Sequence, residues 1–224
     1  MTHRHSPELI PLRTDHAYLR AAPDSVYWQV APHLIQQATD SSCSLATAVM
    51  LLNTVRGCEG HLRHTGPVSE DSLLDTLGDE IWRAAVAEDG NGLSLTEFAA
   101  AMERALASFE CNGSWRIEIV PVTNAEAVVG DLRAALTEME RSGAGFAAAN
   151  FHLDLFYGDG VDVGHFSPIG AYDAARDLVL MLDVYKKDYE PVWAPLPRLA
   201  NAMATLSRKT GEPRGYAVVK RREY

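Results

Sequence analysis

Residues 164–184 read Gly164-His165-Phe166-Ser167-Pro168-Ile169-Gly170-Ala171-Tyr172, then Asp173-Ala174-Ala175-Arg176-Asp177, then Leu178-Val179-Leu180-Met181-Leu182-Asp183-Val184. Two apolar, β-prone runs joined by a short polar segment make a hairpin. With the turn centred on Ala174 or Ala175, antiparallel pairing sets His165 opposite Asp183 or one step from it, Cβ atoms roughly 5 Å apart. A carboxylate beside an imidazole fixes its tautomer and supports its protonated form, the orienting half of a nucleophilic triad. The hairpin lacks only a nucleophile.

Upstream, Cys43-Ser-Leu-Ala-Thr-Ala-Val-Met-Leu-Leu-Asn-Thr-Val-Arg-Gly57 is apolar nearly all round, preceded by the capping types Thr39, Asp40, Ser41 and Ser42 and closed by Gly57. That pattern predicts a buried helix with Cys43 in its first turn. A thiol there sees the positive end of the macrodipole, which favours the thiolate, although Asp40 opposes it. Gln37 can present a side-chain amide to the oxyanion formed when a thiolate attacks a carbonyl, a contribution of about 2.7–4 kcal/mol for a well-placed donor. Gln36 competes for that role. Taken singly, a cysteine on an apolar helix or a histidine in a strand is an ordinary core residue. A helix N-terminal Cys, an upstream Gln and a late His-Asp hairpin together follow the order of parts in a papain-like cysteine hydrolase or acyltransferase.

The elements between fit two lobes. One helix is predicted over 69–88 with Leu73, Leu74, Leu77, Ile81 and Ala85 on one face. Another runs over 95–109, opened by a Ser94/Glu97 capping box and striped by Phe98, Met102 and Leu106. Residues 115–122 alternate as a strand, and Asn124 caps a helix carrying Val128, Leu132, Leu136 and Met139 that ends near Gly143. Beyond it, 146–151, 166–172, 178–184 and 216–220 read as strands, interrupted by a Pro195-initiated helix with Leu196, Leu199, Met203 and Leu206. Helices first and antiparallel strands after define an α+β fold: a helical lobe with the nucleophile helix, then a sheet lobe. Residues 1–24, broken by Pro7, Pro11 and Pro23, read as an N-terminal arm, and 25–224 as one catalytic domain.

Composition agrees. A chain of 224 residues with 47% hydrophobic and 22% charged side chains is globular and can bury a core. The 20 Lys and Arg against 30 Asp and Glu give a net charge of −10, which argues against a nucleic-acid partner. No apolar run reaches membrane-spanning length, and the N-terminus lacks a secretory signal, so a cytoplasmic protein without a membrane partner is expected. Three cysteines, Cys43, Cys58 and Cys111, make a disulfide framework improbable.

The stretch 164–184, with Tyr189-Glu-Pro-Val-Trp-Ala-Pro-Leu196 and Thr210-Gly-Glu-Pro-Arg-Gly215, resembles the catalytic domain of the phytochelatin synthase family. Weaker similarity reaches back through Asp89-Gly-Asn-Gly-Leu-Ser94 to Gln37-Ala-Thr-Asp-Ser-Ser-Cys43. The resemblance implies a papain-like fold with a Cys43, His165 and Asp183 triad and Gln37 at the oxyanion hole. It also implies cleavage of glycine from glutathione through a γ-glutamylcysteinyl thioester, then transfer to another glutathione or to water. Substrate is expected against Ser44, Gly164 and Phe166. No cofactor is expected to be required, while the resemblance brings heavy-metal or metal-thiolate dependence. The expected partners are a small thiol peptide and a second copy in a homodimer.

Four departures bear on specificity. Ser44 follows the nucleophile where glycine is usual, and Leu153 follows His152 where a basic residue is usual, which removes a cation for substrate carboxylates. The segment Gly158–Asp162 is about two residues longer than the family norm, and no cysteine-rich C-terminal domain follows Tyr224. The Ser44 and Leu153 departures motivate an alternative, an amide-forming acyltransferase of a biosynthetic pathway with another peptide or carrier-bound acyl donor. A third reading is a metal-binding protein with a vestigial triad, using Cys58, His61 and His64. Residues 88–98 resemble a calcium loop, but that register puts Ala87 and Phe98 at ligand positions. His3 and His5 are read as solvated.

Overall fold

The computed structural model describes residues 6–222. The expectation for His3 and His5 falls outside that range. In chain order the elements are β1 (Ile10–Pro11), α1 (Ala17–Ala21), α2 (Tyr27–Val30), α3 (Cys43–Cys58), α4 (Leu62–Thr65), α5 (Glu70–Leu77), α6 (Glu80–Val86) and α7 (Leu95–Ser108). They continue as β2 (Trp115–Pro121), α8 (Ala125–Ser142), β3 (Gly145–His152), α9 (Leu153–Tyr157), β4 (Gly164–Asp173), β5 (Leu178–Met181), β6 (Val192–Pro195), α10 (Leu196–Met203) and β7 (Gly215–Arg221). Helices and an antiparallel sheet segregate as the α+β reading requires.

The sheet has seven strands in the order β1-β6-β5-β4-β3-β7-β2, every neighbouring pair antiparallel. β3, β4 and β5 are buried along nearly their whole length, because helices cover the sheet and both faces of these strands carry apolar or small side chains. α3 is buried from Cys43 to Arg56 and packs across β4. An all-round apolar helix can bury itself only at the centre of the molecule, and this one lies among α2, α4, α5, α6, α7 and the sheet.

Several sequence expectations need correction. The helix foreseen over 69–88 is two helices, since Gly78 adopts φ 56°, a left-handed conformation that ends α5, and Asp79 caps α6 through the Trp82 N–H. The restart rotates the faces: Trp82 is buried and Ile81 is 79% exposed. α3 runs past Gly57 to Cys58. Leu206 lies beyond the end of α10 and is 59% exposed. β6 and α9 were missed because each is only four or five residues long. The Ser94/Glu97 capping box, the Asn124 cap and the buried stripes of α7 and α8 are as expected.

Candidate active site

Cys43 stands at the first position of α3, on the wall of a cleft of about 520 Å³. Asp40, Ser41, Gly92, Asn150, Asp162, Gly164, Phe166, Arg208, Lys209 and Arg214 also line it. The loop before the helix is pinned in place. Ser42 Oγ accepts the Thr39 N–H at 2.9 Å, Thr39 Oγ1 donates to the Val86 carbonyl at 2.6 Å, and Ser41 Oγ donates to the Gly90 carbonyl at 2.6 Å. Cys43 therefore enters its helix from a fixed turn.

His165 comes from β4. The foreseen strand-to-strand pairing of His165 with Asp183 does not occur: His165 pairs with Phe151 of β3, and the β4–β5 ladder stops at Ile169 with Met181 after a register shift near Gly170. Past Met181 the chain leaves the ladder and carries Asp183 back under the histidine. His165 Nε2 then meets Asp183 Oδ1 at 2.8 Å, both side chains buried. The dyad is real although the register that suggested it is not.

Nε2 faces Asp183, so Nδ1 is the nitrogen left for the Cys43 thiol, which is near enough to help raise the imidazole's proton affinity. Burial alone would depress the imidazole's proton affinity. The Asp183 charge and hydrogen bond, with Cys43 adding to them, outweigh that and push His165 up to about 10. The edge of the Phe151 ring also abuts the imidazole, with ring centres 5.6 Å apart. Asn150 Nδ2 donates to the His165 carbonyl at 3.2 Å.

Gln37 is buried, and its N–H donates to the Val184 carbonyl at 2.9 Å, tying it to the residue after Asp183. Its Nε2 spends one proton on Thr39 O at 2.8 Å and keeps a second, while Oε1 is buried without a partner among the described residues. Gln36 is otherwise engaged: its Nε2 donates to the Gln37 carbonyl and its Oε1 accepts from the Lys187 N–H. Gly164 and Phe166 line the cleft as expected for substrate contacts. The Ser44 side chain does not. It is wholly buried and its Oγ accepts from Trp82 Nε1 at 3.3 Å.

Leu153, where a basic residue was expected, is buried, and the cations on the cleft wall belong to a different part of the chain. Arg208, Lys209 and Arg214 reach the cleft from the segment between α10 and β7. Arg214 is buried and donates to Thr205 Oγ1 at 3.0 Å and to the Leu206 carbonyl at 2.6 Å. Its guanidinium lies against Gly164, where a Cβ would sit 2.7 Å from Nη2, so a larger residue there would push the arginine aside. Burial, with the Arg208 charge adding to it and Asp162 opposing it, lowers the Arg214 proton affinity. Arg208 pairs with Asp162, which also accepts from His152 Nε2 at 2.8 Å. Nothing in the sequence pattern singled out these three beyond the quoted run Thr210–Gly215.

Cys58, His61 and His64 do not converge. Cys58 Sγ donates to Gln29 Oε1 at 3.2 Å, and His61 Nδ1 lies 4.0 Å from Cys111 Sγ. Among the described residues no three His, Cys, Asp or Glu side chains form a group suited to a metal, and no helix is long and apolar enough to cross a membrane.

Comparison with known proteins gives a consistent picture. A sequence model described as phytochelatin synthase matches residues 9–216. Glutathione gamma-glutamylcysteinyltransferase 3 of Lotus japonicus is 30% identical over 195 residues, covering 86% of this chain and 37% of its own. Glutathione gamma-glutamylcysteinyltransferase 1 of Arabidopsis thaliana is 26% identical over 197 residues, with coverage of 87% and 37%. The Schizosaccharomyces pombe enzyme of the same name is 24% identical over 194 residues, with coverage of 86% and 43%. The chain thus spans well under half the length of these curated relatives.

Proposed function

The chain belongs to the phytochelatin synthase family, and from that premise we propose that it is a papain-like thiol acyltransferase or peptidase acting on glutathione or a related γ-glutamyl thiol peptide. The observation that carries this reading is the buried His165–Asp183 pair beside a cysteine at a helix N-terminus on a cleft wall. His165 takes the Cys43 proton, and the thiolate attacks the carbonyl carbon of the bond to the terminal glycine. The oxyanion is held by the Cys43 N–H at the start of α3 and by the free proton of Gln37 Nε2. As the tetrahedral species collapses, His165 returns the proton to the departing amine, the C–N bond breaks and a γ-glutamylcysteinyl thioester remains on Cys43. Water, or the amino group of a second thiol peptide, then attacks the thioester and frees the thiol. Asp183 orients the imidazole and supports its charged form throughout.

The cleft suits such a substrate. A γ-glutamyl peptide carries two carboxylates and one ammonium group, and the walls offer Arg208, Lys209 and Arg214 together with Asp40 and Asp162. Heavy-metal dependence, a cytoplasmic setting and a homodimer belong to the same proposal, with any metal entering as the thiolate complex of the substrate.

The test is glycine release from glutathione by the wild type and Cys43→Ala, with intact-mass detection of the acyl adduct. Release and adduct confined to the wild type are expected. Absence of both, while Cys43 still reacts readily with iodoacetamide, would send the acyl donor elsewhere and leave the triad standing.

A further inference from the structure

Asp183 has no solvent exposure, yet it sits at the centre of the proposed triad as a charged group. A desolvated carboxylate keeps its charge and orientation only if both oxygens find donors. Oδ1 is shared between His165 Nε2 at 2.8 Å and the Tyr185 N–H at 2.8 Å. Oδ2 has the Tyr157 hydroxyl as its donor, at 2.6 Å. Nothing in the sequence pattern marked Tyr157.

We propose that Tyr157 is a positioning residue of this site, fixing the Asp183 carboxylate so that its other oxygen holds the imidazole toward Cys43. The inference rests on the triad reading and deepens it. α9, the single turn and a half that follows β3, delivers the ring. The ring is clamped by Tyr189, stacked at 4.0 Å and 14°, and by Phe156, edge-on at 4.8 Å. The phenol is fully enclosed, and burial, followed by the adjacent Asp183 charge, drives its proton affinity well above the ordinary phenolic range, so it stays a donor. Without that hydroxyl, a carboxylate with two donors on one oxygen is free to rotate, and the aligned Nε2–H···Oδ1 bond is lost part of the time. The titratable groups facing this assembly are Cys43 from α3, His165 from β4, Asp183 beyond β5, and Tyr189 and Asp159 beside Tyr157.

The experiment is Tyr157→Phe, which keeps the ring and its stack and removes one oxygen. The primary readout is the ¹⁵N NMR titration of the His165 imidazole, which does not depend on which acyl donor the enzyme accepts. A downward move of the His165 midpoint equivalent to roughly tenfold or more in proton affinity is expected in Tyr157→Phe. None is expected in Tyr189→Phe, whose hydroxyl donates to Asp159 Oδ2 at 2.5 Å. In turnover of glutathione, kcat is expected to fall roughly tenfold with KM within twofold. In an Asp183→Asn background, Tyr157→Phe is expected to add no further loss, because its effect passes through Asp183. A His165 midpoint that stays or rises in Tyr157→Phe, or losses that multiply in the double variant, would overturn the proposal.

Should Tyr157→Phe fail to fold, the wild type still decides. A slowly exchanging downfield hydroxyl proton that disappears in Asp183→Asn supports the role, and its absence refutes it. Failure of glutathione as acyl donor would show separately, as no glycine release from a wild type whose His165 still titrates high.

Discussion

At the scale of single residues, His165 links catalysis to stability. Its proton affinity rises from the ordinary imidazole value to about 10 because Asp183 offsets the cost of burial. A group whose folded-state affinity is raised contributes stability that is complete below its unfolded midpoint, near 6.5, and lost as pH climbs through its folded one. The window here runs from about 6.5 to about 10. Urea unfolding across that window is expected to show stability falling by up to about 1.4 kcal/mol per pH unit. Asp183→Asn should flatten that slope, and a slope unchanged by the substitution would contradict the account. The same residues show what a sequence can and cannot disclose. The place of Cys43 at the start of α3 was legible from the capping residues before it, whereas the His165–Asp183 contact was foreseen through a strand register that does not form. Tyr157 and Arg214 were not, because a lone tyrosine before Gly158 and an arginine before Gly215 carry no periodicity. Only the folded chain shows that one donates to a buried carboxylate and the other lies against Gly164.

Among elements, those with strong local signals were read correctly and those decided by a single backbone conformation were not. α7 is the clearest success: Ser94 Oγ accepts the Glu97 N–H at 3.3 Å while Glu97 Oε2 accepts the Ser94 N–H at 2.7 Å, and Phe98, Met102 and Leu106 are buried beneath. Ser94→Ala is expected to cost about 1 kcal/mol in chemical denaturation. A loss below a few tenths would mean that packing alone sets this helix start. The helix over 69–88 failed because apolar periodicity survives a glycine, while the hydrogen-bond ladder does not survive φ 56° at Gly78. The hairpin register failed for another reason: the turn centres between Ala175 and Arg176, with Asp173 opposite Leu178, and the ladder ends with Ile169 opposite Met181, short of His165.

For the whole molecule, the α+β division was legible because helical periodicity dominates the first half of the chain and strand-like runs the second. The strand order was not, since no local rule says that β7 lies between β3 and β2. The segment between α10 and β7 joins the two lobes across the cleft. Lys209 Nζ donates to the Gly92 carbonyl at 3.1 Å and lies 3.5 Å from Glu97 Oε2, while Arg208 pairs with Asp162 on the opposite side. These contacts are solvent-exposed, and such pairs are each worth about 0–1 kcal/mol. Lys209→Ala should therefore leave the urea midpoint nearly unchanged while proteinase K cleaves faster within 207–212. Equal cleavage rates would show that the bridge does not restrain this segment.

The position of β7 also has a consequence for biosynthesis. β2 is made early, but its hydrogen-bonding partner, residues 215–221, leaves the ribosome roughly a hundred residues later, or about 5 to 20 seconds at ordinary translation rates. Throughout that interval the nascent chain carries a strand, Trp115–Pro121, with an unpaired edge open to other chains. Arg214 emerges with the same late segment. A ribosome stalled before residue 215 would therefore hold a chain that already contains Cys43, His165 and Asp183 but has neither a partner for β2 nor this cation, so the acylation proposed at Cys43 should begin only once β7 has been made.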